Sequence, residues 1–156
     1  GAVFLVGAGV FLLSRTGTPS PVVVADIPQT ELSVSFKKII QGRQAVIARR
    51  VNYVLTSPAE LRELWKTVDA PGAPPRVDFK ENAVIAVFAG EESTFSITVA
   101  NIEDREKRMV SIALANPESS CGKTQSAGSP YEIVVVPATA LPLIHEDLVI
   151  HTHCPK

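Results

Sequence analysis

The residues best suited to chemistry lie at the end of the chain. His151-x-His153-Cys154, with His145 and Cys121 elsewhere, combines imidazole and thiol groups, the usual ligands of zinc. On an extended strand, however, His151 and His153 share one face while Cys154 points to the other, so the three cannot close a tetrahedron without a bend. Two surface histidines are the plainer reading. No metal is expected, and His151 and His153 mark the nearest approach to a site. Gly122-Lys123-Thr124 has the ending of a phosphate-binding loop, but that motif needs a glycine where this chain has Pro117, and no helical periodicity follows Thr124 to supply amide donors. Gly122 to Gly128 therefore reads as a loop. The serines form no Gly-x-Ser-x-Gly elbow, and the acids Glu91-Glu92 and Asp78 with Glu81 suit turns better than a general acid and base. The expectation is a protein with no catalytic residue and no cofactor, not an enzyme.

What must be positioned, then, is a body rather than an active site. The 156 residues suffice for one domain with a proper core, and the net charge of -1, with basic residues scattered, argues against a nucleic-acid surface. Lys37-Lys38 and Arg49-Arg50 are adjacent basic pairs, while Glu103 to Arg108 mixes both signs and reads as a solvated hairpin tip.

The first fourteen residues, Gly1 to Ser14, carry no charge. As a helix they would cover about 21 Å at roughly 1.5 Å per residue, short of a hydrocarbon core about 30 Å thick. The chain opens on Gly rather than Met, so the run is expected to continue upstream. Leu12-Leu13-Ser14-Arg15-Thr16-Gly17 offers no convincing signal-peptidase site, which favours a retained single-pass anchor over residues 1–15. Phe4, Leu5, Gly7, Ala8, Gly9, Phe11 and Leu12 would dock it against lipid and neighbouring helices, the small residues allowing close approach. Residues 16–29, rich in proline, read as a linker, and residues 30–156 as a β-rich domain in the periplasm or outside the cell. In such an oxidising compartment Cys121 and Cys154 are expected to form a disulfide; two free buried thiols are the alternative.

Within the domain, Leu32, Val34 and Phe36 alternate with polar residues from Thr30 onward, a half-buried strand that Gly42 should break. A second extended run ends with Val51, Tyr53 and Leu55 on one face. Ser57-Pro58-Ala59-Glu60 is a capping box opening a helix to about Val68, whose Leu61, Leu64, Trp65 and Val68 form one apolar stripe. Ala83 to Ala89 and Ile133 to Val136 are continuously apolar, so both faces should be covered, as in central strands. Phe95 to Val99 and Met109 to Leu114 alternate as a β-hairpin, and Leu148 to His153 closes the chain as a last strand. The fold class is α+β, a mostly antiparallel, sandwich- or barrel-like β-sheet with one packed helix.

Over residues 61–140 the order of these parts resembles the PrcB C-terminal domain family, small bacterial extracytoplasmic domains named for a subunit of a surface protease complex. The resemblance rests on Leu61-x-x-Leu64-Trp65, Val77-Asp78-Phe79-Lys80, the apolar strand Val84 to Gly90, Ser96-Ile97-Thr98-Val99, Ser129-Pro130-Tyr131 and Ile133 to Pro137. Where members typically carry a Gly-Gly-Tyr turn, this chain has Ser93-Thr94-Phe95. The resemblance implies an exported accessory or assembly role and supplies no catalytic residue.

Two functions are therefore expected. The first is a membrane-anchored accessory subunit that docks on a larger bacterial protease, secretion, respiratory or photosynthetic complex, its partners being the lipid bilayer and other membrane-protein subunits. The second is a tethered binding or inhibitor-like module acting alone through the loops at 90–94 and 117–130.

Overall fold

A computed structural model describes residues 32–91, 93–118 and 127–154. The chain divides into two units, Gly1–Leu32 and Ser33–Lys156, and the description below concerns the second. The expected anchor and linker lie outside the described residues. Among the described residues no helix is long and apolar enough to cross a membrane.

Among the described residues, seven strands and one helix follow in the order β1 (Lys37–Gln44), β2 (Val51–Leu55), α1 (Pro58–Thr67), β3 (Asn82–Phe88), β4 (Ser96–Asp104), β5 (Arg108–Pro117), β6 (Ser129–Pro137) and β7 (Leu143–Thr152). They form a four-stranded sheet, β1-β6-β3-β2, antiparallel throughout, and a three-stranded sheet, β4-β5-β7, in which β4 and β5 make a hairpin and β7 runs parallel to β5. The continuous apolar runs are explained by what covers them. In β3 and β6, Ile85, Val87, Val134 and Val136 face Ile97, Val99, Val110 and Ile112 of the smaller sheet. Their alternate neighbours Val84, Ala86, Phe88, Tyr131 and Ile133 face Leu61, Leu64, Trp65 and Val68 of the helix and its cap. Each central strand is thus buried on both faces and needs no polar side.

The helix forms where its cap dictates. Ser57 Oγ accepts from the Glu60 amide at 3.3 Å, and the Glu60 carboxylate accepts from the Ser57 and Thr56 amides at 3.1 and 2.7 Å. These bonds hold the Glu60 carboxyl below its ordinary pKa, the Thr56 amide contributing most. At the other end Trp65 Nε1 donates to the Gly72 carbonyl at 3.1 Å, which folds the proline-rich turn back onto the core.

Three expectations need correction. The alternation at 32–36 is not a strand. Ser33 makes an isolated bridge to Glu103, and the Val34 amide donates to the Ile102 carbonyl, while Val34 and Phe36 pack against the inter-sheet core. Alternation reports which side chains are buried, and a single bridge suffices for that. Second, Gly42 does not break β1. It lies inside the strand under the Tyr131 ring, where a Cβ would stand 3.3 Å from a ring carbon, so glycine serves close packing there. Third, the charged segment at 103–108 is not wholly solvated. Arg108 is 3% exposed, its Nε and Nη2 donating to Asp104 at 2.6 and 2.8 Å and its Nη1 to the Pro137 carbonyl. An arginine without those acceptors would carry a large desolvation cost, so the hairpin closes around the pair.

Candidate docking surface

β7 combines firm attachment with unusual exposure. In its parallel register with β5, His145, Asp147, Val149 and His151 stand beside Val110, Ile112, Leu114 and Asn116, on the face that β5 turns toward the other sheet. Glu146, Leu148 and Ile150 stand beside Ser111, Ala113 and Ala115, on the outer face. Yet Val149, Ile150 and Leu148 are 53, 50 and 44% exposed, and Leu143 and Ile144 are also open to solvent. The strand is the last in its sheet, with no described strand on its other edge.

Its polar groups hold it in place. Arg50 Nε and Nη2 donate to the two Asp147 carboxylate oxygens at 2.9 and 2.6 Å, a bidentate pair. The same guanidinium reaches the Phe88 carbonyl at 3.1 Å and Asn52 Oδ1 at 2.6 Å, linking β7 to β2 and β3. Ser111 Oγ lies 2.8 Å from Glu146 Oε1, and at the far end the Glu118 amide donates to the Thr152 carbonyl at 3.0 Å. Charges that would normally blunt an edge strand are therefore engaged by partners within the protein, which fixes the strand, and its apolar side chains are left facing water. A long apolar edge of this kind is a template for pairing with another chain.

Sequence reasoning also missed Glu132. In a run otherwise apolar it is 2% exposed, on the β6 face shared with Val134 and Val136. Its Oε1 accepts from the Val99 amide at 2.9 Å, at the point where β4 breaks register between Val99 and Asn101. Glu132 thus satisfies an amide that the bulge frees from the ladder, tying the two sheets together. Lys38 Nζ is 3.9 Å from the other oxygen. Burial raises the Glu132 pKa, with the Val99 hydrogen bond and the Lys38 charge opposing it. A raised folded-state value means that the folded protein holds this proton more tightly than the unfolded chain. Stability from this group is present below the ordinary carboxylate pKa and is lost as pH rises through the raised value. Glu132→Gln keeps an acceptor for Val99 and should flatten that part of the pH profile. Glu132→Leu should cost about 1–3 kcal/mol by orphaning the amide. Urea denaturation between about pH 4 and about pH 8 distinguishes them, and identical profiles for the wild type and Glu132→Gln would refute this account.

The residues singled out for chemistry are not brought together. His145 and His151 lie on one face of β7, and His153, almost fully exposed, has Nδ1 3.2 Å from Glu118 Oε1. Among the described residues no three His, Cys, Asp or Glu side chains group so as to hold a metal. Asp78 makes a turn, accepting from the Lys80 amide at 3.0 Å through its side chain and from Asn82 through its carbonyl. Glu92, Cys121, Gly122, Lys123 and Thr124 lie outside the described residues, as do the docking residues Phe4, Leu5, Gly7, Ala8, Gly9, Phe11 and Leu12. Cys154 is not a free thiol. The chain matches no family model, no curated protein and no solved structure.

Proposed function

We propose that this protein is a non-enzymatic accessory subunit, held in a membrane by the apolar segment at its start and associating with other protein through its extracytoplasmic β-rich domain. The observation that carries the reading is β7, whose exposed Leu148, Val149 and Ile150 are presented on a strand fixed by ion pairing and hydrogen bonds. Solvent-facing apolar side chains on a rigid edge serve association better than solubility. The uncharged run Gly1 to Ser14, the proline-rich linker after it and the resemblance to the PrcB C-terminal domain family support the membrane setting and the accessory role. A Cys121–Cys154 disulfide belongs to the same proposal, and non-reducing mass spectrometry that found both thiols free in native protein would remove the oxidising compartment from it.

Gentle solubilisation of membranes is expected to recover the full-length chain in a particle containing other membrane subunits. Recovery free of any other subunit across several mild detergents would overturn the reading.

A further inference from the structure

Resting on the reading of β7 as a docking edge, we infer that its partner is a second copy of this chain, added antiparallel across β7 about a two-fold axis at Val149. The argument comes from pairing rules applied to the strand. A two-fold axis normal to the sheet keeps every residue on the same face in both copies, and directly opposed residues must share a face. Position i can then face position j only when i and j differ by an even number, so the axis passes through a residue.

Few registers remain. Centring on Asp147 sets that carboxylate against itself, two like charges directly opposed. Centring on Leu148 sets Asp147 against Val149 and Glu146 against Ile150, a carboxylate facing an apolar side chain at each. Centring on Val149 sets Val149 against itself and Leu148 against Ile150 twice, gathering the most exposed apolar side chains of the strand. It also sets Asp147 against His151 of the second copy, again twice, so a carboxylate acceptor meets an imidazole N–H donor where apolar contact ends. Arg50 occupies one side of each Asp147 carboxylate, and that side chain is still 30% exposed, with lone pairs to spare for an imidazole donor. This register therefore covers Leu148, Val149 and Ile150 and leaves no carboxylate facing an apolar neighbour. An isologous contact of this kind closes after two copies, which removes the hazard of continued edge-to-edge growth.

The test uses the full-length chain in detergent micelles, with protein mass measured by light scattering over a dilution series. Wild type is expected at twice the chain mass. His151→Asp, which opposes Asp147 with a second carboxylate, should weaken the dimer at least about tenfold, whereas His151→Lys should leave it within about threefold of wild type. Leu148→Glu should leave only monomer. His151 and Leu148 are both exposed, and urea melts should confirm that the variants fold as the wild type does. A monomeric wild type at the highest concentration overturns the inference, as does a dimer that none of the three variants moves, which would place self-association elsewhere. Either result can occur while other subunits still co-purify, in which case the docking reading stands and only the second copy falls. If other subunits are absent as well, both fall.

Discussion

Phe88→Ala should destabilise the domain by about 3–5 kcal/mol, the range for emptying a fully buried aromatic site. Phe88 is 0% exposed at the end of the central strand β3. Its ring meets Tyr53 edge-on, at 5.8 Å between centroids and 74°, and stacks on Tyr131 at 5.8 Å and 19°. Two favourable aromatic geometries are lost along with the apolar area. Collapse cannot fill the space cheaply, because Phe88 is held in register with both Val51 of β2 and Tyr131 of β6, so either neighbour would have to leave its ladder. Phe88→Leu keeps most of the volume and should cost less than half as much. Equilibrium denaturation with a common m-value decides it, and a loss below about 1.5 kcal/mol for alanine would mean that the aromatic cluster is not the rigid centre described above.

The parts of the fold legible beforehand were those decided by neighbours in sequence. Ser57-Pro58-Ala59-Glu60 specifies its own cap, and the observed hydrogen bonds are the ones that pattern requires. The apolar runs in β3 and β6 signal burial on both faces without saying which neighbours cover them. What stayed hidden was non-local. The sequence places the closing strand at Leu148 to His153. It begins at Leu143, since Arg50, just before β2, and Ser111 of β5 engage Asp147 and Glu146. Nothing near β7 in sequence announces its parallel pairing with β5. Glu132 carried a faint signal, a single acid between Tyr131 and Ile133. Its meaning depends on the register break in β4, more than thirty residues away. The exposed apolar edge is the same case. Leu148, Val149 and Ile150 look like any buried strand until the sheet order leaves them, among the described residues, with β5 as their one neighbouring strand.

Gly90→Ala should cost about 2–5 kcal/mol, combining about 1–2 for a left-handed backbone with about 1–3 for overpacking. Gly90 has φ 75°, and a Cβ there would lie 2.2 Å from both the Arg49 carbonyl carbon and the Arg50 amide nitrogen. These are backbone atoms, so no rotamer change relieves the overlap and the segment before β2 must move away. Gly72 provides the control. It also has a positive φ, of 71°, but no atom lies within 4 Å of its would-be Cβ, so Gly72→Ala should cost only the backbone term, about 1–2 kcal/mol. The difference between the two variants measures the close approach alone. Its consequence reaches the docking edge, because the displaced backbone carries Arg50, whose guanidinium holds both Asp147 and the Phe88 carbonyl. Moving it should loosen β7 as well as lower global stability. Hydrogen exchange is therefore expected to speed up at β7 amides in Gly90→Ala relative to Gly72→Ala, when both are compared at equal global stability. Equal exchange there would show that Arg50 does not set the position of the strand, and that the main-chain ladder with β5 alone holds the apolar edge in place.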